Sequence, residues 1–136
     1  MKNYFVCFII AISLYSCEND PGTRNKSYEE KLVDIKATEA LQPEKFLQIE
    51  GTYRENLVGK TIIEGEVISA ASQAVFKDIQ IRVDFYSRTK SIISSENYVF
   101  YEVLNPNERK PFELRIKAPK AMNSLGLSVI GATPVY

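Results

Sequence analysis

The stretch Ile79-Gln80-Ile81-Arg82-Val83-Asp84-Phe85-Tyr86 decides the fold. Its odd positions are Ile, Ile, Val and Phe, while three of its even positions are Gln, Arg and Asp. Side chains of an extended strand point alternately to opposite faces, so a period of two predicts one apolar face for a core and one largely wet face. Phe112-Glu113-Leu114-Arg115-Ile116-Lys117 repeats the pattern, and Leu125-Gly126-Leu127-Ser128-Val129 gives a third case. Leu47, Ile49 and Tyr53 alternate in an earlier segment, and Ile63, Gly65 and Val67 in the next. Turn-forming stretches separate these segments: Val58-Gly59-Lys60, Ala71-Ser72-Gln73, Ser87-Arg88-Thr89-Lys90, Asn105-Pro106-Asn107-Glu108 and Pro119-Lys120-Ala121. Six or seven short strands over about 90 residues, with no long helical period between them, exclude parallel βαβ units. The expectation is all-β: an antiparallel sandwich over residues 46–136.

Upstream the pattern changes. Ser27-Tyr28-Glu29-Glu30 has the spacing of a capping box, in which two side chains satisfy free backbone N–H groups of a first helical turn. Tyr28, Leu32 and Ile35 follow at i, i+4 and i+7, which puts them on one face of a helix over 28–40. Pro43 stops it. Residues 18–27 hold nothing that needs burial and read as a tether.

Composition narrows the class. The 136 residues hold one domain comfortably. Lys+Arg and Asp+Glu number 17 each, and that zero net charge argues against a nucleic-acid binder, which neutralises phosphates with a basic excess. There is no His, so the commonest general base and the commonest metal ligand are both missing.

The first residues read as an address. A positive start is followed by an apolar run from Tyr4 to Leu14, which covers only about half of a bilayer core and suits the h-region of a secretory signal. Leu14-Tyr15-Ser16-Cys17 resembles the lipobox of bacterial lipoproteins, with Leu three before the cysteine and a small residue just before it. The resemblance implies a signal peptide over 1–16 and a lipidated Cys17 that opens the tether-and-helix region 17–45. Cys7 leaves with such a leader, so Cys17 has no disulfide partner, and a free thiol is a liability in an oxidising compartment. Thioether-linked acyl chains remove the thiol and supply more than one buried chain, enough for stable anchoring in a bilayer. Glu18 stands where a retention signal of the inner membrane has Asp, so the expected location is the outer membrane of a bacterial envelope, periplasmic or surface-facing.

The β-rich part carries a second resemblance. Gly65-Glu66-Val67-Ile68-Ser69, then Phe76-Lys77-Asp78-Ile79 leading into Val83-Asp84-Phe85-Tyr86-Ser87, is similar to the FxLYD-type immunoglobulin-like domain. Leu104-Asn105-Pro106-Asn107-Glu108 and Lys110-Pro111-Phe112-Glu113-Leu114 match its Leu-x-Pro-Gly-Glu turn and the strand after it, with Asn107 in place of Gly. The resemblance implies an extracytoplasmic, immunoglobulin-like β-sandwich. It hands over no catalytic residues.

Several motifs touch on chemistry. Ser87-Arg88-Thr89-Lys90 matches the Ser-x-x-Lys of penicillin-recognising enzymes, but acylation needs that pair at a helix start, whereas these residues sit in a predicted hairpin turn. Glu64 and Glu66 stand about 6.5–7 Å apart on one strand face, a separation found between glycosidase carboxylates. Such a pair must flank a sugar across a cleft with one acid in an apolar pocket, so these two read as a solvated face paired with Arg82 or Lys77. Asp78 and Asp84 do not form a calcium-loop run, and no metal or cofactor is expected. Asn25-Lys26-Ser27 fits a glycosylation sequon, which has no counterpart on the export route that a lipobox implies.

The most suggestive feature is aromatic. Tyr98, Phe100 and Tyr101 lie within four residues of a segment, Ser95 to Val103, that is apolar on both faces. Tyr98 and Phe100 share one face and form a candidate binding face, since exposed rings accept a protein partner or stack on a sugar. The competing reading is a central strand whose outer face lies under the 28–40 helix. The expected function is therefore a non-catalytic binding or structural module, tied to the bilayer through Cys17 and partnered by an envelope protein; glycan or small-ligand recognition through the aromatic face is the alternative.

Overall fold

A computed structural model describes residues 26–136; the expected signal peptide, the lipobox-like stretch with Cys17 and the expected tether up to residue 25 lie outside the described residues. Two helices, α1 (Tyr28–Leu41) and α2 (Pro43–Phe46), precede six strands. These are β1 (Leu47–Glu55), β2 (Thr61–Ser69), β3 (Val75–Tyr86), β4 (Ile92–Phe100), β5 (Arg109–Ile116) and β6 (Ser124–Val135). They build two antiparallel three-stranded sheets in the orders β1-β2-β5 and β4-β3-β6. The expected all-β sandwich is what the chain forms.

The two central strands supply most of the core. Ile63 and Val67 of β2 face Ile79, Ile81, Val83 and Phe85 of β3, all essentially without solvent contact. The alternation in β3 survives from Ile79 onward but breaks before it, because Phe76 is also buried. An irregularity in the pairing of β3 with β6 between Lys77 and Ile81 accounts for this, with Asp78 at φ 48°. The bulge shifts the parity of the strand, so Phe76 and Ile79 both point inward. Between β4 and β5 the chain returns to the first sheet through Leu104, which is fully buried and exchanges backbone hydrogen bonds with Phe76 at 2.8 and 3.0 Å.

The capping box forms as its spacing predicts: Glu30 N–H donates to Ser27 Oγ at 3.2 Å, and Ser27 N–H donates to Glu30 Oε2 at 3.0 Å. The helix it opens does not use the expected face. Tyr28 and Ile35 are 76% and 42% exposed, and the buried residues of α1 are Glu39 and Ala40. Only the last turn docks. Glu39 accepts from the N–H groups of Ser72, Gln73 and Ala74 at 2.7, 2.9 and 2.8 Å, and from Ser72 Oγ at 2.9 Å. A single carboxylate thus satisfies the loop that carries the chain from the first sheet to the second. Pro43 ends α1 as expected and also opens α2, where its missing N–H costs nothing.

Candidate binding cleft

β4 is an edge strand, not a central one. Its pairing with β3 sets Tyr98 opposite Ile81 and Phe100 opposite Ile79, and directly paired residues share a face. Tyr98 and Phe100 therefore point inward, half-buried against the core, while Val99 and Tyr101 are the exposed side chains at 40% and 79%. This corrects the expectation of an exposed Tyr98/Phe100 face. The alternative fares no better, since α1 is anchored on α2 and the 72–74 loop rather than over β4.

Across from these rings stands β5, the edge of the other sheet. Phe112 and Leu114 project inward from it, and Ile81 forms the floor. The result is a cleft of about 360 Å³ on the open side of the sandwich, between one edge of each sheet, with Pro111, Glu102 and Glu113 on its rim. Its walls are apolar and aromatic, its rim acidic and wet. Tyr98 donates its hydroxyl to Glu96. Burial pushes the Tyr98 phenol well above its ordinary value of 10, and the hydrogen bond to Glu96 and that group's negative charge push the same way. The ring is thus held neutral and in one orientation.

The rim is organised by the turn after β4. Lys110 Nζ lies 3.4 Å from Glu102 and 3.9 Å from Glu108. Glu108 accepts from Asn105 N–H at 2.7 Å and Asn105 Nδ2 at 2.8 Å. The backbone bond is the main cause that holds the Glu108 carboxyl below its ordinary range, against a smaller opposing effect of desolvation. Asn107 takes φ 58°, a left-handed position that Asn tolerates where glycine is usual.

The remaining motifs resolve locally. Ser87 and Lys90 close the β3–β4 hairpin: Lys90 N–H donates to Ser87 C=O at 2.9 Å, and Lys90 sits at φ 62°. Glu64 and Glu66 lie on the outer face of the first sheet, where Arg54 Nη2 is 2.8 Å from Glu64 and Arg109 Nη1 is 3.7 Å from Glu66. The expected partners, Arg82 and Lys77, belong to β3 in the other sheet and cannot reach them. Asp84 is buried, and it accepts from Ser95 Oγ and lies 3.2 Å from Arg82 Nε. Asp78 occupies the bulge. Among the described residues no group of three or more potential ligands is placed to hold a metal ion, and no helix is long and apolar enough to cross a membrane. A second depression of about 480 Å³ lies at the loop end near Tyr53 and Met122, with Arg54, Glu55, Lys117 and Lys120 around it. Its surround is charged, and it lacks facing aromatic walls.

Sequence reasoning found Tyr98 and Phe100 but missed Phe112 and Leu114 as their counterparts. The signal was present in the alternation of the 112–117 segment; what was missing was the order of strands that sets β5 across from β4. The architecture defines a small antiparallel β-sandwich with a lateral apolar cleft. Compared with known proteins, the chain matches no family model, no curated protein and no solved structure.

Proposed function

We propose that the protein is a non-catalytic binding module of a bacterial cell envelope, anchored in the outer membrane by acyl chains on Cys17 and serving as an accessory subunit of an envelope complex. The observation that carries the binding role is the cleft: Tyr98 and Phe100 of one sheet edge face Phe112 and Leu114 of the other across about 360 Å³. Apolar walls inside a polar rim are the anatomy of a contact surface that takes an apolar side chain from a partner. The anchor rests on the lipobox resemblance at Leu14, Ser16 and Cys17 and on the lack of any disulfide partner once Cys7 is removed.

Two measurements test the two halves of this reading. Mass spectrometry of the mature N-terminus is expected to find a chain that starts at Cys17 and carries acyl chains; an unmodified Cys17 overturns the anchor. Cross-linking in intact envelopes is expected to give a stoichiometric protein partner that Phe100→Ala loses; a partner held equally by wild type and variant overturns the cleft as the contact site.

Glycan recognition is the second reading. Tyr101 is 79% exposed next to Glu102 on the cleft rim, so a ring for stacking stands beside a carboxylate that accepts sugar hydroxyls. Binding on a glycan array that Tyr98→Ala and Tyr101→Ala abolish would favour it over a protein partner.

A further inference from the structure

We infer that the free edge of β6 is a pairing surface for β6 of a second copy of this chain. Each sheet has two edges, and the four edge strands differ in how they are guarded. β1 carries Glu50, Arg54 and Glu55; β4 carries Glu96; β5 carries Arg109, Lys110, Glu113 and Arg115, with Pro111 among them. Charges and proline on an edge discourage the addition of another strand. β6 reads Ser-Leu-Gly-Leu-Ser-Val-Ile-Gly-Ala-Thr-Pro-Val, twelve residues without a charge, and its proline comes only at Pro134. It is the longest of the four edges and the least defended.

Its backbone is open as well. One side of β6 is paired with β3, and among the described residues no backbone hydrogen bond joins its other side to anything. α2 and β1 both lie against β6, with Leu127 close to Gly51 of β1, yet neither forms a backbone hydrogen-bond ladder with the free side of Ser124–Ile130. Leu125, Leu127 and Val129 pair with fully buried Phe85, Val83 and Ile81, yet all three remain only partly buried. Ile130 is 37% exposed. An added strand supplies the missing hydrogen bonds and covers this residual apolar surface.

The occupant follows from the sequence of the strand itself. An antiparallel two-fold pairing centred on Leu127 sets Leu127 against Leu127, Leu125 against Val129, Gly126 against Ser128 and Ser124 against Ile130. Every pair keeps inward residues opposite inward ones, and no like charges meet. The chain's own residues 18–27 do not fit, because they offer no aliphatic or aromatic side chain to lay along the core. A two-fold contact of this kind also closes on itself, so one continuous six-stranded sheet forms and further addition stops.

Sedimentation velocity of the full chain in detergent, over a dilution series, tests the inference. A monomer–dimer equilibrium is expected, with Ile130→Lys weakening it by about tenfold or more and Asn97→Lys, on the β4 edge at the far side of the same sheet, leaving it unchanged. Hydrogen exchange of the wild type provides a readout that does not depend on the variant folding. Amides of Ser124–Ile130 that face away from β3 are expected to slow as concentration rises. A monomer at every concentration, a dimer indifferent to Ile130→Lys, or exchange there that ignores concentration would overturn it.

Discussion

Leu104 and Phe76 exchange both of their backbone hydrogen bonds, at 2.8 and 3.0 Å, in an isolated bridge that ties Leu104, which belongs to no strand, to β3. Both side chains are fully buried, so the segment that carries the chain from β4 to β5 is pinned to the start of β3. Leu104 lies in the segment that joins β4 to β5, the two edge strands that wall the cleft. Leu104→Ala removes a fully buried side chain and is expected to cost about 2–5 kcal/mol in denaturant unfolding. The same variant is expected to weaken partner binding in the cleft, because the two edges lose their common strut.

Glu39 gives a pH dependence. Burial alone would raise its pKa, but the backbone bonds from Ser72, Ala74 and Gln73 and the Ser72 hydroxyl outweigh it, so the folded value lies below the ordinary 4.5. A carboxyl depressed on folding contributes stability that is complete above its unfolded pKa and is lost as pH falls through the folded one. Unfolding free energy is therefore expected to decline below about pH 4.5 as Glu39 takes up its proton. Glu39→Gln should cost about 1–3 kcal/mol at neutral pH and flatten that acid limb, as measured by chemical denaturation at a series of pH values.

Gly65 is a steric requirement. It pairs with Gly51 across β1 and β2, and a Cβ added to it would stand 1.9 Å from the Glu50 carbonyl oxygen. Backbone cannot give way as a flexible side chain does, so Gly65→Ala is expected to lower stability by about 1–3 kcal/mol in thermal unfolding. Gly59→Ala, in the open β1–β2 turn, loses only the favourable left-handed backbone and is expected to cost less.

Tyr98 should give a late step in a titration. Its phenol is pushed above 10 by burial and by Glu96. A group raised on folding contributes stability below its unfolded pKa and loses it as pH climbs toward the folded one. In ultraviolet absorbance Tyr98 is expected to ionise above its ordinary range, and Tyr98→Phe is expected to remove that late component. Glu96→Gln should bring it to lower pH while leaving the fold intact, since Glu96 is exposed on an edge strand.

Legibility in the sequence followed the range of the interactions. The alternation in Ile79–Phe85 and Phe112–Ile116, the capping box at Ser27 and the turns at Ser87 and Asn105 are local patterns, and each appears where its spacing put it. The face of β4 was not legible, because Tyr98, Val99, Phe100 and Tyr101 are apolar on both sides and only pairing with β3 decides between them. The docking of α1 was not legible either. Its amphipathic stripe pointed to Tyr28, Leu32 and Ile35, whereas the helix is held by an acid whose partners lie more than thirty residues away. The bulge at Asp78 reverses the parity of β3 in a stretch where Phe76 and Ile79 look out of step.

The attachment of α1 through Glu39 in its final turn has a mechanical meaning. Tension applied from upstream enters the body at one end of the helix and acts on a few hydrogen bonds that open one after another, not on a sheet loaded in shear. Under a stretching force α1 should peel away first, a compliant leader that extends at low load while the two sheets behind it stay closed.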